Sequence, residues 1–386
     1  MNTQTQTADK NRSASHLVTK RLPKRAPLYV AAGSIILAIV LTFVIAHGFN
    51  IPLAAFLAGV INLAVIVGWS WTVEGRRKAV DRVATTLVTS SFVLALIPLI
   101  SLLWMSIEKG GPVLVENSTL LSRSMEGMKG IYDKEFAAGE GDLMGGFYHA
   151  IIGTLLITLF AALISIPIGI MCAVYLVEYS GGKKAGALGR SITFFVDVMT
   201  GIPSIVAGLF AFSLFSTVIG LVAPESLTAA KSGIAASVAL SVLMIPVVVR
   251  NTEEILRLVP HDLREASYAL GVPKWKTIVK IVLPTAISGI LSGVTIAIAR
   301  VIGETAPIMV TAGFAASVNW NVFSGWMSTL PTFIYDSVTR PTAPGSAAIA
   351  STDRAWAAAL VLIIIVMVLN LGARIMAKVL APKAGR

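Results

Sequence analysis

Long stretches without a charged side chain are the feature that most restricts the fold of this chain. From Ala26 to Val73, 48 consecutive residues contain no Asp, Glu, Lys or Arg. A helix needs about 20 apolar residues to cross the hydrocarbon core of a bilayer, so this stretch accommodates two crossings. Gly48, Asn50 and Pro52 favour a turn between them, because these residue types break or cap helices.

Further apolar stretches raise the prediction to eight membrane-spanning helices and an all-α fold. Only 13% of the residues are Asp, Glu, Lys or Arg, about half the share in soluble domains. A soluble fold is therefore excluded. The six later stretches run over 83–107, 150–177, 202–222 (a helix that begins near Ser191), 232–249, 281–299 (most of a helix that continues past this stretch) and 355–373.

The positions of the basic residues predict which side of the membrane each loop faces. With the N-terminus in the cytoplasm, 23 of the 31 Lys and Arg residues lie in cytoplasmic segments and 7 in external ones. Basic residues are enriched in the cytoplasmic loops of membrane proteins. We therefore predict that both termini are cytoplasmic. This bias, rather than binding to nucleic acid, accounts for the net charge of +11.

Two external segments and an N-terminal extension complete the predicted organisation. Residues 108–149 hold most of the external acidic side chains, and residues 311–354 are rich in aromatic ones. The aromatic segment is expected either to fold back toward the membrane interface or to bind an external soluble partner. We predict that residues 1–82 form a cytoplasmic tail with two additional helices, and that residues 83–386 form the main transmembrane domain.

No pattern in the chain predicts a catalytic, nucleotide, metal or disulfide site. The phosphate-binding pattern GxxxxGK[ST] is absent, the four histidines are scattered, and Cys172 is the only cysteine. Residues 139–142 match the GxGD pattern of intramembrane aspartyl proteases, but they lie in a polar external loop. We therefore expect neither enzymatic activity nor a cofactor on this chain.

The cytoplasmic segment 250–284 carries the most information about function. Acidic residues near its start and a basic residue later predict a short helix over Asn251–Leu258, which ends at Pro260. A second short helix is predicted over Asp262–Leu270, followed by Gly271 in the left-handed conformation that ends helices. By itself, this pattern is also typical of an interfacial loop packed on lipid headgroups.

The amino-acid sequence of this segment resembles the EAA loop of ABC-importer permeases. The run Glu-Ala-Ser-Tyr-Ala-Leu-Gly at 265–271 is followed by Ile-Val-Leu-Pro at 281–284. In that family the loop docks into a separate ATPase subunit, which binds ATP and Mg. The resemblance therefore implies that a set of residues here couples to an ATPase on another chain: Asp262, Arg264, Glu265, Ala266, Gly271 and Pro284.

Four further motifs resemble the PstA family of phosphate ABC-importer permeases: GGFYHA at 145–150, SIPIG at 165–169, GIPSIV at 201–206 and ARVIGETAP at 299–307. The GETAP ending favours PstA over the sister family PstC. The resemblance implies a six-helix core, inorganic phosphate as substrate, and a place in the bacterial inner membrane. It also implies three kinds of partner: a PstC-like permease, two PstB-like ATPases and an external PstS-like binding protein.

Charged residues inside predicted helices are candidates for the substrate pathway. Arg300 is the only basic residue inside a predicted membrane span, and Glu304, four residues later, is expected to share its helix face and pair with it. The planar guanidinium group matches two phosphate oxygens at once. We expect Arg300 to bind phosphate and Glu304 to hold it when the site is empty. The alternative is a static pair that locks the helix to its neighbours.

Two other charged residues leave alternatives open. Arg250 either anchors its helix at the cytoplasmic surface or contacts phosphate, and the family resemblance favours phosphate. Asp197 either neutralises an arginine or caps a helix broken at Pro203, and its position favours the cap. The competing functions are a permease for another oxyanion, a PstC-type subunit, and a self-contained ion-coupled carrier or membrane enzyme.

Overall fold

The fold is entirely helical over the part of the chain that the computed structural model describes, which is residues 22–23, 25–46, 50–181, 183–222 and 230–380. Within these ranges, eight helices are long and apolar enough to cross a membrane. The predicted all-α fold and number of crossings are confirmed. The chain divides into two compact units, Met1–Trp104 and Met105–Arg386, and the functional division at residue 82 stays a prediction.

The N-terminal unit contains the two helices predicted from the first uncharged stretch. Helix α1 spans Ala26–Ala46 and α2 spans Ile51–Glu74. The Asn50 side chain caps α2 by accepting a hydrogen bond from an N–H in its first turn, as the turn prediction requires, while Gly48 lies outside the described residues. Helix α3, Arg76–Glu116, begins in this unit.

The C-terminal unit contains the other helices of the described residues. The long helix α5 ends in a π-helical turn, and a second π-helical turn precedes α11. The bounds are α4 Gly130–Ala138, α5 Tyr148–Val174, π turn Tyr175–Tyr179, α6 Lys183–Thr200, α7 Ser204–Val222, α8 Gly233–Leu258, α9 His261–Ala269, α10 Lys274–Thr277, π turn Ile278–Val282, α11 Leu283–Val301, α12 Ala306–Thr311, α13 Leu330–Thr339 and α14 Ala348–Leu380.

Helix α8 lies at the centre of this unit, because small side chains let its neighbours approach closely. Ser237 Oγ donates a hydrogen bond to the Ile157 carbonyl of α5 at 3.1 Å, and Ser241 Oγ donates to the Ala161 carbonyl at 3.4 Å. Since both pairs are 80 residues apart, α5 and α8 run parallel.

Helix α11 packs on another side of α8 in the opposite direction. A Cβ atom added to Gly289 would lie 2.6 Å from Ile255 Cγ2, and one added to Gly293 would lie 2.6 Å from Asn251 Cβ. Glycine is required at both positions for this close approach. The antiparallel register places Arg300, at the end of α11, near the level of the middle of α8.

Two helix boundaries differ from the predictions. The fifth span is not one helix, because α6 ends at Thr200 and α7 begins at Ser204. Pro203 lacks an N–H group and disfavours helical geometry at the residue before it. Conversely, the predicted helix Asn251–Leu258 is the last part of α8, which contains Pro246 and continues to Leu258 because no Gly or Pro lies between Val247 and Leu258.

A buried ion pair joins the 108–149 segment to the last helix. Arg354 of α14 donates from Nη1 to Asp133 Oδ1 at 2.9 Å and from Nη2 to Asp133 Oδ2 at 2.6 Å. Arg354 is 0% exposed and Asp133 is 1% exposed. The Met144 carbonyl accepts a further bond from Nη1 at 2.9 Å. This segment is therefore a folded part of the C-terminal unit.

Candidate functional site

The segment 250–284 presents one face of α9 to its surroundings. Asp262, Glu265 and Ala266 are all exposed on this face. Leu263 and Leu270, also exposed, place apolar side chains beside them. An exposed surface that combines apolar side chains with a rim of charge is typical of a site for a protein partner.

Gly271 ends α9 in the left-handed conformation that the sequence predicts. Its φ is +75°, and its N–H donates to the Tyr268 carbonyl at 2.9 Å. The N–H of Val272 donates to the Ser267 carbonyl at 3.2 Å, which completes the helix end. Since nothing lies within 4 Å of an added Cβ, backbone conformation rather than space requires glycine here.

Arg264, one of the residues expected to couple to an ATPase, points into the protein, and its role in coupling stays a prediction. It is 7% exposed, and its Nη2 lies 2.9 Å from Glu178 Oε1 in the π turn that ends α5. With Glu265 directed outward on α9, the helical periodicity turns its neighbour Arg264 toward the core. Pro284 is exposed in the first turn of α11, where its missing N–H costs no helical hydrogen bond.

Arg250 lies between two carboxylates near the end of α8. Its Nη1 donates to Glu253 Oε2 at 2.9 Å, and its Nη2 contacts Asp197 Oδ1 of α6. Glu253 Oε1 in turn accepts from Arg257 Nη2 at 2.7 Å. The expectation that Asp197 caps the break at Pro203 is therefore wrong, because its carboxylate neutralises an arginine.

A cavity of about 480 Å³ adjoins this cluster. Its lining is mixed in charge, with two arginines and two carboxylates. The residues are Leu176, Ser180, Gly186, Gly189, Arg190, Thr193, Phe194, Asp197, Glu253 and Arg257. Such a volume accommodates a small oxyanion together with water.

Arg300 and Glu304 do not form the predicted pair. Helix α11 ends at Val301, and the next helix begins only at Ala306, so the two residues are not on one helical face. Among the described residues, no ion pair within 4 Å joins them. Gly303 favours the break through its conformational freedom, and Pro307 favours the start of a new helix. Arg300 is exposed on the isolated chain.

Sequence reasoning missed Glu178, Lys274, Asp133 and Arg354. Glu178 ends an apolar run. The assignment of loops to one side of the membrane uses only basic residues, so it could not indicate a buried carboxylate at this position. Among the described residues, no group of three His, Cys, Asp or Glu side chains is arranged to hold a metal ion.

These features are those of a multi-pass membrane permease subunit. In agreement, the family described as "Binding-protein-dependent transport system inner membrane component" matches residues 165–386. Among solved structures, the chain is similar to "Inward facing conformations of the MetNI methionine ABC transporter", with 20% identity, a TM-score of 0.45, and coverage of 61% of this chain and 95% of that chain.

Comparison with curated relatives narrows this class of permease subunits to one family. The chain is 48% identical over 298 residues to the phosphate transport system permease protein PstA 1 of Mycobacterium tuberculosis (strain CDC 1551 / Oshkosh), covering 77% of this chain and 88% of the relative. It is 46% identical over 296 residues to PstA of Mycobacterium leprae (strain TN), with coverage of 77% and 88%. The chain therefore belongs to the PstA family of these inner membrane components, which confirms the resemblance of its motifs.

Proposed function

We propose that this chain is the transmembrane permease subunit of an ATP-driven importer of inorganic phosphate. The observation that carries the proposal is the placement of two arginines. Arg300 lies near the level of the middle of α8, and Arg250 lies nearer the end of that helix. The printed names of the curated relatives, which are phosphate transport permeases, support the substrate.

Arg300 supplies the charge that a phosphate ion needs inside the membrane. A dianion in a medium of low dielectric constant is costly unless a cation and hydrogen-bond donors replace its water. The non-helical backbone at 302–305, beside Arg300, supports the same interpretation. Irregular backbone at membrane depth is tolerated where it lies inside protein or lines a water-filled cavity. Glu304, in this break, is proposed to orient a protonated oxygen of the bound ion.

Arg250 forms the second contact, about 9 Å from the level of Arg300 along α8. Its guanidinium group already donates hydrogen bonds to Asp197 and Glu253. A phosphate ion that reaches Arg250 must therefore displace a carboxylate. Asp197 is the more easily displaced, because its side chain is 60% exposed whereas that of Glu253 is 10% exposed.

The energy for transport is proposed to come from a partner chain. The exposed face of α9 offers Asp262, Glu265 and Ala266 to an ATPase subunit, which would bind ATP and Mg. The full complex would contain a PstC-like permease, two PstB-like ATPases and an external PstS-like phosphate-binding protein. In the bacterial inner membrane, both termini of this chain and the 250–284 segment would face the cytoplasm, as the basic residues predict.

Reconstitution tests this function. The chain would be placed in liposomes with its companion subunits, and ATP hydrolysis and uptake would be measured with phosphate, sulfate or molybdate on the loaded binding protein. We expect stimulation by phosphate well above that by the other oxyanions. Equal stimulation by sulfate would favour the competing oxyanion permease, and uptake without any ATPase subunit would support a self-contained carrier.

Glu265→Lys is expected to reduce retention of the ATPase subunits about 10-fold, because reversing a charge at an interface repels the partner group. The measurement is the ratio of ATPase to permease after purification of the complex. Glu140→Lys is the matched control, since Glu140 is also exposed but belongs to the 108–149 segment. Normal retention with Glu265→Lys would contradict the assignment of α9 as the docking surface.

A further inference from the structure

One guanidinium group holds the 250–284 segment to two core helices. Arg264 Nε and Nη2 donate to Glu178 Oε1 at 3.0 and 2.9 Å. Nη2 also donates to the Leu256 carbonyl at 3.0 Å, and Nη1 donates to the carbonyls of Val259 at 2.7 Å and Pro260 at 3.5 Å. A guanidinium has five N–H donors, so these five contacts account for its full capacity. They join α9 to the ends of α5 and α8.

Glu178 is held by a second part of the same segment. Lys274 Nζ of α10 donates to the backbone carbonyl of Glu178 and lies 4.9 Å from the centroid of the Tyr179 ring. Both Glu178 and Tyr179 belong to the π turn that ends α5. Such turns alter the backbone hydrogen bonding of a helix and are frequent at functional sites. One residue of this turn thus holds α9 through its side chain and α10 through its backbone.

The two short helices also form one body. The hydroxyls of Ser267 and Thr277 lie 2.8 Å apart and are buried at 3% and 0% exposure. Because α9 and α10 are joined to each other and both to Glu178, displacement of the exposed face of α9 must either move the end of α5 or break a buried ion pair. Breaking such a pair leaves charges without partners in the interior, which is strongly unfavourable.

Stability alone does not account for charges at this position, since well-packed apolar side chains stabilise an interior equally well or better. The ion pair adds a fixed orientation of α9 relative to the end of α5. We propose that Arg264, Glu178 and Lys274 form a mechanical joint that transmits movement of α9 to α5 and α8. They are positioning residues for coupling. This inference rests on the proposed function.

Glu178→Gln tests the joint in the complete reconstituted complex, because it preserves the shape of the side chain and removes its charge. We expect the ATPase subunits to remain bound. We expect the number of ATP molecules hydrolysed per transported phosphate to rise about 10-fold, within the usual range of coupling between sites. The KM for the phosphate-loaded binding protein should not change, since the pathway is untouched. Asp336→Asn is the matched control, because Asp336 forms an exposed pair with Arg340 at 2.6 Å.

A second variant keeps the test decisive if Glu178→Gln does not assemble. Glu178→Met combined with Arg264→Met replaces the pair by apolar side chains that suit a buried site. The joint predicts an assembled but uncoupled complex. A wild-type ratio of ATP to phosphate in either assembled variant would overturn the proposal, and so would failure of both variants to assemble. If the wild-type complex transports another oxyanion instead, the assignment of phosphate as the substrate fails. The number of ATP molecules hydrolysed per transported anion, measured with that oxyanion, still tests the joint.

Discussion

Arg300→Gln is expected to lower phosphate uptake about 100-fold, a loss typical of removing one partner from a desolvated charge pair. The amide keeps much of the polarity and length of the side chain but cannot neutralise an anion. Arg300 is the only basic residue in the predicted membrane-spanning stretches, so no neighbouring cation on this chain replaces it. Uptake of labelled phosphate by the reconstituted complex is the measurement.

Assembly distinguishes a pathway role for Arg300 from a static one. The amount of intact complex recovered with Arg300→Gln should equal that of the wild type. Arg340→Gln is the control, because it makes the same chemical change at an exposed pair, and its uptake should be normal. If Arg300→Gln prevents assembly, the residue locks helices together. If uptake is normal, phosphate transport does not depend on Arg300.

Asp133→Ala is expected to destabilise the C-terminal unit by about 3–5 kcal/mol, the usual cost of leaving a buried charge without its partner. Arg354, its partner, is fully buried. Two parallel hydrogen bonds between the side chains would be lost together, and water would not reach the guanidinium without opening the packing. Denaturant unfolding of the purified chain in detergent, or a shift of its thermal midpoint, measures the effect.

Comparison with an exposed pair isolates the effect of burial. Asp336→Ala breaks an ion pair with Arg340 on the surface of α13, where such pairs contribute about 0–1 kcal/mol. Its unfolding should therefore change little. The double substitution Asp133→Leu with Arg354→Met should recover much of the stability, because it removes both charges. A loss below about 1 kcal/mol for Asp133→Ala would contradict a structural role for the pair.

Most of the fold was predictable because the bilayer demands long apolar helices. Eight crossings follow from the uncharged stretches, and the structure contains eight suitable helices within the residues it describes. The errors occur where helices end. The fifth span breaks at Pro203, before Ser204, and the sixth continues through Pro246 to Leu258, because hydropathy alone does not fix where a helix stops.

The candidate site was predicted in part. Gly271 was assigned its conformation correctly, since a left-handed helix end has a local sequence requirement. Arg264 was predicted only as a coupling residue, and its burial was not predicted, because the motif identifies a helix but does not state which of its residues face the core. The pairing of Asp197 with Arg250 joins residues 53 positions apart, which no local pattern reveals.

The sequence by itself determined the membrane-spanning character and the family, because hydropathy and short motifs are properties of neighbouring residues. The tertiary structure decided the partners of the charges: Arg264 with Glu178, Arg250 with Asp197, and Arg354 with Asp133. The physical reason is that an ion pair depends on distance and burial. Both are set only when helices distant in sequence pack together.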